Sequence, residues 1–346
     1  MITRSRMWLA GLIVLAAALT LLKIPVASSQ GVTLVAYQVS EDLPVNDPDS
    51  PLWRRVTAVQ VPLSAQAVAR PMTLGTKVQS VTARALYDDE QVAILVEWAD
   101  DTQDDSMVRV QDFRDAVAVQ FPLVEGQPFF CMGQQGGDVN IWHWKADWQA
   151  DIAARQDMET LYPNMHVDQY PFADSNAGLA AGPATYTDPN YLPALASGNL
   201  FATAQHLSPV EDVIAGGFGS LTAQPAEAQN VHGYGVWKDS RWRVIFSRDL
   251  TSQETADAQF ATDKVYSVAF AAWDGANGER NGQKSTSQWV SLQFGGPVPE
   301  AVSEPALVTR TVEVGPLAFV PAVVITLLIF GLAGGALIVF ERSQRK

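Results

Sequence analysis

Period-two alternation of apolar and polar residues constrains this chain more than any other feature. In Gln91–Trp98, the side chains of Val92, Ile94, Val96 and Trp98 fall on one face. Arg241–Arg248 alternates Trp242, Val244 and Phe246 with Arg241, Arg243 and Ser247. Val265–Trp273 and Thr286–Phe294 repeat the pattern, with Trp289 facing away from Val290 and Leu292, and Lys77–Tyr87 and Asp115–Phe121 are further candidates. Residues two apart share one face of a strand, so such runs predict half-buried strands. Turn formers separate them: Asp88-Asp89, Asp239-Ser240, Asn277-Gly278 and Asn281-Gly282. Few segments carry a helical period. The pattern predicts an all-β domain over residues 31–295, built as an antiparallel β-sandwich.

Residues 151–230 depart from it. They are rich in Ala, Gly, Pro and Asn, and read as a long loop insertion with a short helix over Ala150–Leu161. Loops of this length are usually functional or disordered.

The two ends carry a different signal. Met7–Leu22 is an uncharged apolar run behind Arg4 and Arg6, and Ala27-Ser28-Ser29 offers small residues for cleavage. Residues 1–30 therefore read as a signal peptide or an N-terminal membrane anchor, and the sequence leaves both open. Pro316–Phe340 holds no charge, and residues 341–346 form a basic tail. A bilayer needs about 20 apolar residues to cross, and a basic flank marks the cytoplasmic side. The expectation is a linker over 296–315, a transmembrane helix over 316–340 and a cytoplasmic tail. The main domain then lies on the extracytoplasmic (periplasmic) side of the cytoplasmic membrane.

Composition excludes several chemistries. The formal net charge is −14, which argues against a nucleic-acid partner and suits a basic protein such as a small soluble cytochrome c. Cys131 is the single cysteine. It allows no intrachain disulfide, no C-x-x-C-H attachment of haem and no cysteine-ligated iron–sulfur cluster. His143, His166, His206 and His232 are not spaced as a zinc site. No nucleophile elbow or phosphate loop occurs.

The segment "PFFCMGQQGGDVNIWHWKADW", residues 128–148, is the most unusual. Met132 and Gly133 open a glycine-containing loop between aromatic pairs Phe129, Phe130 and Trp142, Trp144. A thioether is a soft, neutral donor and a known axial ligand of haem iron. Glycine lets a flat group approach the backbone closely. Taken alone, Met132 reads more readily as core filler than as a ligand.

Four segments together resemble the haem b subunit of type II DMSO-reductase-family molybdoenzymes. That group includes ethylbenzene dehydrogenase, dimethylsulfide dehydrogenase, selenate and chlorate reductases, and nitrate reductase or nitrite oxidoreductase relatives. The segments are "FRDAVAVQFP" (113–122), residues 128–148, "GVWKDSRWRVIFSRDL" (235–250) and "FAAWDGANGERNGQKSTSQWVSL" (270–292). The resemblance implies one non-covalent haem b held by a Met and a Lys, which map onto Met132 and Lys284. It implies an electron-transfer subunit without substrate chemistry of its own. Its partners would be a molybdopterin catalytic subunit, an iron–sulfur subunit and a cytochrome or quinone pathway.

The chain has seven lysines. Lys238, in the turn "WKDSRW", is the runner-up ligand, and His143 stays open as another. A lysine must lose its proton to ligate, which costs roughly 4–5 kcal/mol at pH 7 from a pKa of about 10.4. Burial reduces that cost. Phe129, Phe130, Trp142 and Trp144 are candidate pocket walls. Trp273 and Trp289 flank the Lys284 turn and read as pocket wall or sandwich core. Arg114, Arg241 and Arg280 are candidates to pair with haem propionates. The competing reading is a membrane-tethered carbohydrate-binding module that uses exposed tryptophans and no redox cofactor.

Overall fold

The computed structural model describes residues 32–124 apart from 69, 71, 73 and 74, and residues 132–164, 199–202 and 206–299. The N-terminal apolar run, Phe129, Phe130, Cys131, the linker beyond 299, and the expected transmembrane helix with its tail lie outside the described residues. Among the described residues, no helix is long and apolar enough to cross a membrane.

The described residues form thirteen strands, in chain order: β1 (Thr33–Gln38), β2 (Val59–Ala65), β3 (Ser80–Tyr87), β4 (Gln91–Ala99), β5 (Ala116–Pro122), β6 (Val139–Lys145), β7 (Val210–Ala215), β8 (Thr222–Ala223), β9 (His232–Trp237), β10 (Arg241–Asp249), β11 (Val265–Trp273), β12 (Ser285–Ser287) and β13 (Val290–Pro297). Three short helices join them: α1 (Pro51–Arg55), α2 (Ala146–Ala153) and α3 (Met158–Leu161).

The strands form two layers. The first sheet runs β13-β1-β3-β4-β10-β9. The second runs β8-β7-β6-β5-β11-β12-β2. Two strands belong to both. β11 pairs with β13 at its start and with β5 at its end. β2 pairs with β3 at its start and with β12 at its end. Pairing is antiparallel except at β1, which runs parallel to both β13 and β3.

The main core lies between the sheets. Val92, Ile94, Val96 and Trp98 of β4 and Trp242, Val244 and Phe246 of β10 come from the first sheet. Val117, Val119 and Phe121 of β5 and Trp142 and Trp144 of β6 come from the second. These are the inward residues that alternation predicts. The indoles of Trp98 and Trp242 stack at 6.2 Å, and Trp144 meets Trp242 edge-on at 4.9 Å. Trp144 packs against the glycines of β9. A Cβ at Gly235 would stand 2.2 Å from Trp144 Cζ2, and one at Gly233 would stand 2.4 Å from Val210 Cγ2.

Both outer faces are also partly covered. Leu43, Leu52, Trp53 and Val56 lie over Leu86, Leu95 and Ile245 of the first sheet. On the second sheet, Ala116, Ala118, Ile141, Val213, Ala271 and Trp273 form a further apolar cluster.

Three expectations change. The run Thr286–Phe294 is not one strand. It breaks at Gln288 and Trp289, because β12 pairs in the second sheet and β13 in the first. Residues 151–230 are not all loop: β7 adds a full strand beside β6, and β8 follows it. The helix expected over Ala150–Leu161 is two helices, α2 starting earlier and α3 opening with an Asp157 and Thr160 capping box.

Gly235→Ala forces a methyl group into the Trp144 indole. Overpacking of this kind typically costs about 1–3 kcal/mol. Equilibrium urea unfolding should show a lower midpoint with an unchanged slope.

Candidate functional site

The outer face of the second sheet holds a cavity of about 570 Å³. Cofactor pockets commonly span about 300–1,000 Å³. Strand register sets its floor. Glu211 of β7, His143 of β6, Ala118 of β5 and Ala271 of β11 lie side by side in one row. Lys145, Ala116 and Trp273 form the adjacent row. Three alanines in the middle keep the floor low and flat. His143 stacks on Trp273 with 4.7 Å between ring centroids and 28° between planes.

Two loops bring donor atoms over this floor. Met132 sits where its loop folds back, with φ of 71°, followed by Gly133 at 72°. A non-glycine residue in that region typically carries about 1–3 kcal/mol of strain, and such residues cluster at functional sites. The Gly217 N–H donates to Met132 O at 2.8 Å and fixes the turn. A Cβ at Gly133 would stand 2.6 Å from Ala215 O and 2.8 Å from Gly137 O, so only glycine fits there.

Lys284 closes the loop that begins after β11. Its carbonyl accepts the Gln66 N–H at 2.9 Å. Gln66 Nε2 donates to Gly282 O at 3.2 Å, and Trp273 Nε1 to Asn281 O at 3.1 Å. The side chain is 6 % exposed. Its Nζ lies 3.2 Å from Met132 Sδ and 4.9 Å from the centre of the Trp273 ring. A sulfur and an amine nitrogen that are 152 positions apart in the chain therefore converge over an apolar floor.

The donor set suits a haem iron. Any metal held there would take the Met132 thioether sulfur and the Lys284 amine nitrogen as ligands, and both side chains are long and unbranched, so rotation about their bonds can adjust the spacing.

Charge on the floor is paired. Lys145 is fully buried and bonds to Glu211. Its Nζ also lies 3.9 Å from the Trp148 ring and 4.2 Å from the Phe201 ring. Burial brings the Lys145 pKa down to about 8, against the pull of the Glu211 charge. Arg114 bonds to Asp147 at 2.6 Å at the cavity wall. Burial, then the charges of Lys145, Arg114 and Lys284, holds His143 well below the usual histidine range. It is neutral at pH 7, and its Nε2 is buried without a hydrogen-bond partner.

Met132, Lys284, Trp273, Arg114 and Arg280 all line this cavity, and Gly133 shapes the turn beneath Met132. Trp289 is partly buried against the same outer cluster. Trp142 and Trp144 do not face the cavity. The pleat of β6 turns them into the sandwich core and turns Ile141, His143 and Lys145 outward. Lys238 is exposed in the β9–β10 turn of the first sheet, where Asp239 and Ser240 take positive φ. Arg241 is exposed beside it. The alanine floor, the Lys145–Glu211 pair and Gln66 were not among the residues the sequence singled out. Alternation on β6 is the signal that could have found Lys145, since residues 143 and 145 must oppose the two tryptophans.

The family model described as ethylbenzene dehydrogenase matches residues 50–285. The chain belongs to the ethylbenzene dehydrogenase family. Within it, the chain stands with the haem gamma subunits of type II DMSO-reductase-family enzymes. A protein described as a respiratory nitrate reductase heme subunit, ORF7, from Haloferax mediterranei is 26% identical over 258 residues, 74% of this chain and 71% of that one. Chlorate reductase subunit gamma of Ideonella dechloratans is 25% identical over 278 residues, 78% of this chain and 90% of that one. Dimethylsulfide dehydrogenase subunit gamma of Rhodovulum sulfidophilum is 26% identical over 270 residues, 75% and 78% of the two chains. These relatives are named as subunits of oxidoreductases, which supports an electron-transfer role for a family member. Among solved structures, a carbohydrate binding module family 9 from Caldicellulosiruptor kristjanssonii in complex with glucose aligns over 82% of this chain and 100% of that one. Its TM-score is 0.37 and its identity 7%, too remote to bear on the ligand.

The buried Lys145 gives the site a pH signature. A lysine with a lowered folded pKa binds fewer protons folded than unfolded, so its contribution to stability rises with pH between about 8 and 10.4. The stability of the native chain relative to Lys145→Met should climb across that window. Denaturant titrations at pH 7.5, 8.5 and 9.5 on both proteins measure the difference, and a flat or falling difference contradicts the assignment.

Proposed function

We propose that this chain is the electron-transfer subunit of a molybdoenzyme complex and holds one non-covalent haem b between Met132 and Lys284. The observation that carries this reading is the 3.2 Å approach of Lys284 Nζ to Met132 Sδ over the cavity floor. Haem b, when bound, supplies reversible one-electron transfer. The chain's own residues do the rest. The alanine floor and the Trp273 face present an apolar surface to a flat ring. Lys284 is buried, so its amine meets the cavity rather than bulk water. With Met132 and Lys284 both holding the iron, substrate would find no place on it, so the chain would relay electrons rather than transform a molecule. Arg114 and Arg280, at the cavity wall, are placed to meet carboxylates at its edge.

The partners proposed are a molybdopterin catalytic subunit, an iron–sulfur subunit, and a cytochrome or quinone pathway beyond them. The relative described as a nitrate reductase heme subunit supports nitrate or nitrite as the substrate of the whole complex. The uncharged run 316–340 is proposed to tether the domain to the cytoplasmic membrane on its extracytoplasmic side.

The full chain should purify with a low-spin Soret band and sharp reduced α and β bands. Lys284→Ala should lose the low-spin spectrum and gain carbon monoxide binding in the reduced state. Met132→Ala should also lower the reduction potential, because a neutral thioether favours ferrous iron. Lys238→Ala should leave all three unchanged. A folded, colourless protein that takes up no added haem would sink the proposal.

A further inference from the structure

Three buried aspartates meet at the end of the sandwich beside the cavity. Asp100 follows β4 of the first sheet, Asp115 precedes β5, and Asp274 follows β11 of the second. One carboxylate oxygen from each lies within 4.8 Å of the others. None is more than 8 % exposed. Asp115 is well satisfied: Gly275 N donates to Oδ1 at 2.9 Å, and Asp104 N and Trp242 Nε1 donate to Oδ2 at 2.8 and 2.9 Å. Asp100 is not. Its Oδ1 takes the N–H and hydroxyl of Thr102, while Oδ2 is buried without a hydrogen-bond partner. The nearby Trp98 indole N–H pulls on that carboxylate but is itself unbonded.

A carboxylate on a residue only 5 % exposed, with one oxygen unpartnered and two more carboxylates within 4.8 Å, is an expensive arrangement unless positive charge joins it. We propose that Asp100, Asp115 and Asp274 bind a hard divalent cation of the Ca²⁺ class. All-oxygen donors without sulfur or imidazole select such ions, and Ca²⁺ accepts irregular sets that mix carboxylates with carbonyls and water.

The alternative occupant is protons. Burial, then neighbouring carboxylate charge, raises Asp115 to about 8 and Asp100 to about 6. A metal-free cluster would therefore hold protons near neutrality.

The position gives the cation a task. Asp115 is next to Arg114, and Asp274 is next to Trp273, both of which line the cavity. Asp274 also starts the loop that ends at Lys284: its Oδ1 accepts the Asn277 N–H at 2.8 Å, and its own N–H donates to Glu279 Oε2 at 3.1 Å. A cation here would staple the 100–115 segment, the first sheet and the Lys284 loop together. This site does not depend on haem for its argument or its test.

The full chain, stripped with chelator and then given millimolar Ca²⁺ alone, should melt about 5 °C higher. Tb³⁺ should bind in place of Ca²⁺ and luminesce on indole excitation, since Trp98 and Trp242 border the site. Asp100→Asn should abolish both responses. In chelator, it should melt above the native chain, because one repelling charge is gone, and below it in Ca²⁺. If the native chain ignores Ca²⁺, leaves Tb³⁺ dark and melts below Asp100→Asn in every buffer, the cluster holds protons only and the proposal is wrong.

Discussion

The approach of the Lys284 amine to the Met132 thioether joins the two loops on which the proposed haem site rests. A hydrogen bond to a thioether is weak, so it does not hold the loops in place. They are held from below. Gly217 fixes Met132 through its carbonyl, and Gln66 and Trp273 fix the Lys284 loop through theirs. Each anchor belongs to, or adjoins, a strand of the second sheet. The pair is therefore a property of the sandwich rather than of two flexible side chains, which is what precise positioning of a cofactor requires.

The sandwich accommodates the site by burying both faces of its second sheet. Its inner face is filled with large side chains, Trp142 and Trp144 among them. Its outer face is lined with small ones, Ala116, Ala118 and Ala271. Large residues on one side make the layer rigid, and small residues on the other leave room for a flat ring. Two charged pairs lie on the outer face, Lys145 with Glu211 and Arg114 with Asp147. Breaking one partner of a buried pair leaves an uncompensated charge, so these pairs also restrict which substitutions the floor tolerates.

Much of this was legible before any coordinates. β4, β10 and β11 follow directly from alternation, and their ends match the turn residues at Asp88, Asp239 and Asn277. What stayed illegible has physical causes. β7 is acidic and short, and sits in a region of loop-like composition. The break at Gln288 and Trp289 arises because the chain changes sheets, and alternation continues across such a step. Trp142 and Trp144 could not be oriented from pattern, because a strand covered on both faces has no solvent side to mark direction. Met132 drew attention through its glycine neighbour. Lys284 came from family resemblance, since nothing in the local pattern separates it from a solvated turn lysine.

The central claim is a sulfur and a neutral amine on one iron. Near-infrared magnetic circular dichroism of the oxidised full chain reads the ligand pair directly, because the energy of the porphyrin-to-iron charge-transfer band depends on the axial donors. The native protein should show the band of a methionine–amine pair, and Lys284→Ala should lose it. A band of a bis-histidine or histidine–methionine pair would contradict it, and would move attention to His143 on the same floor.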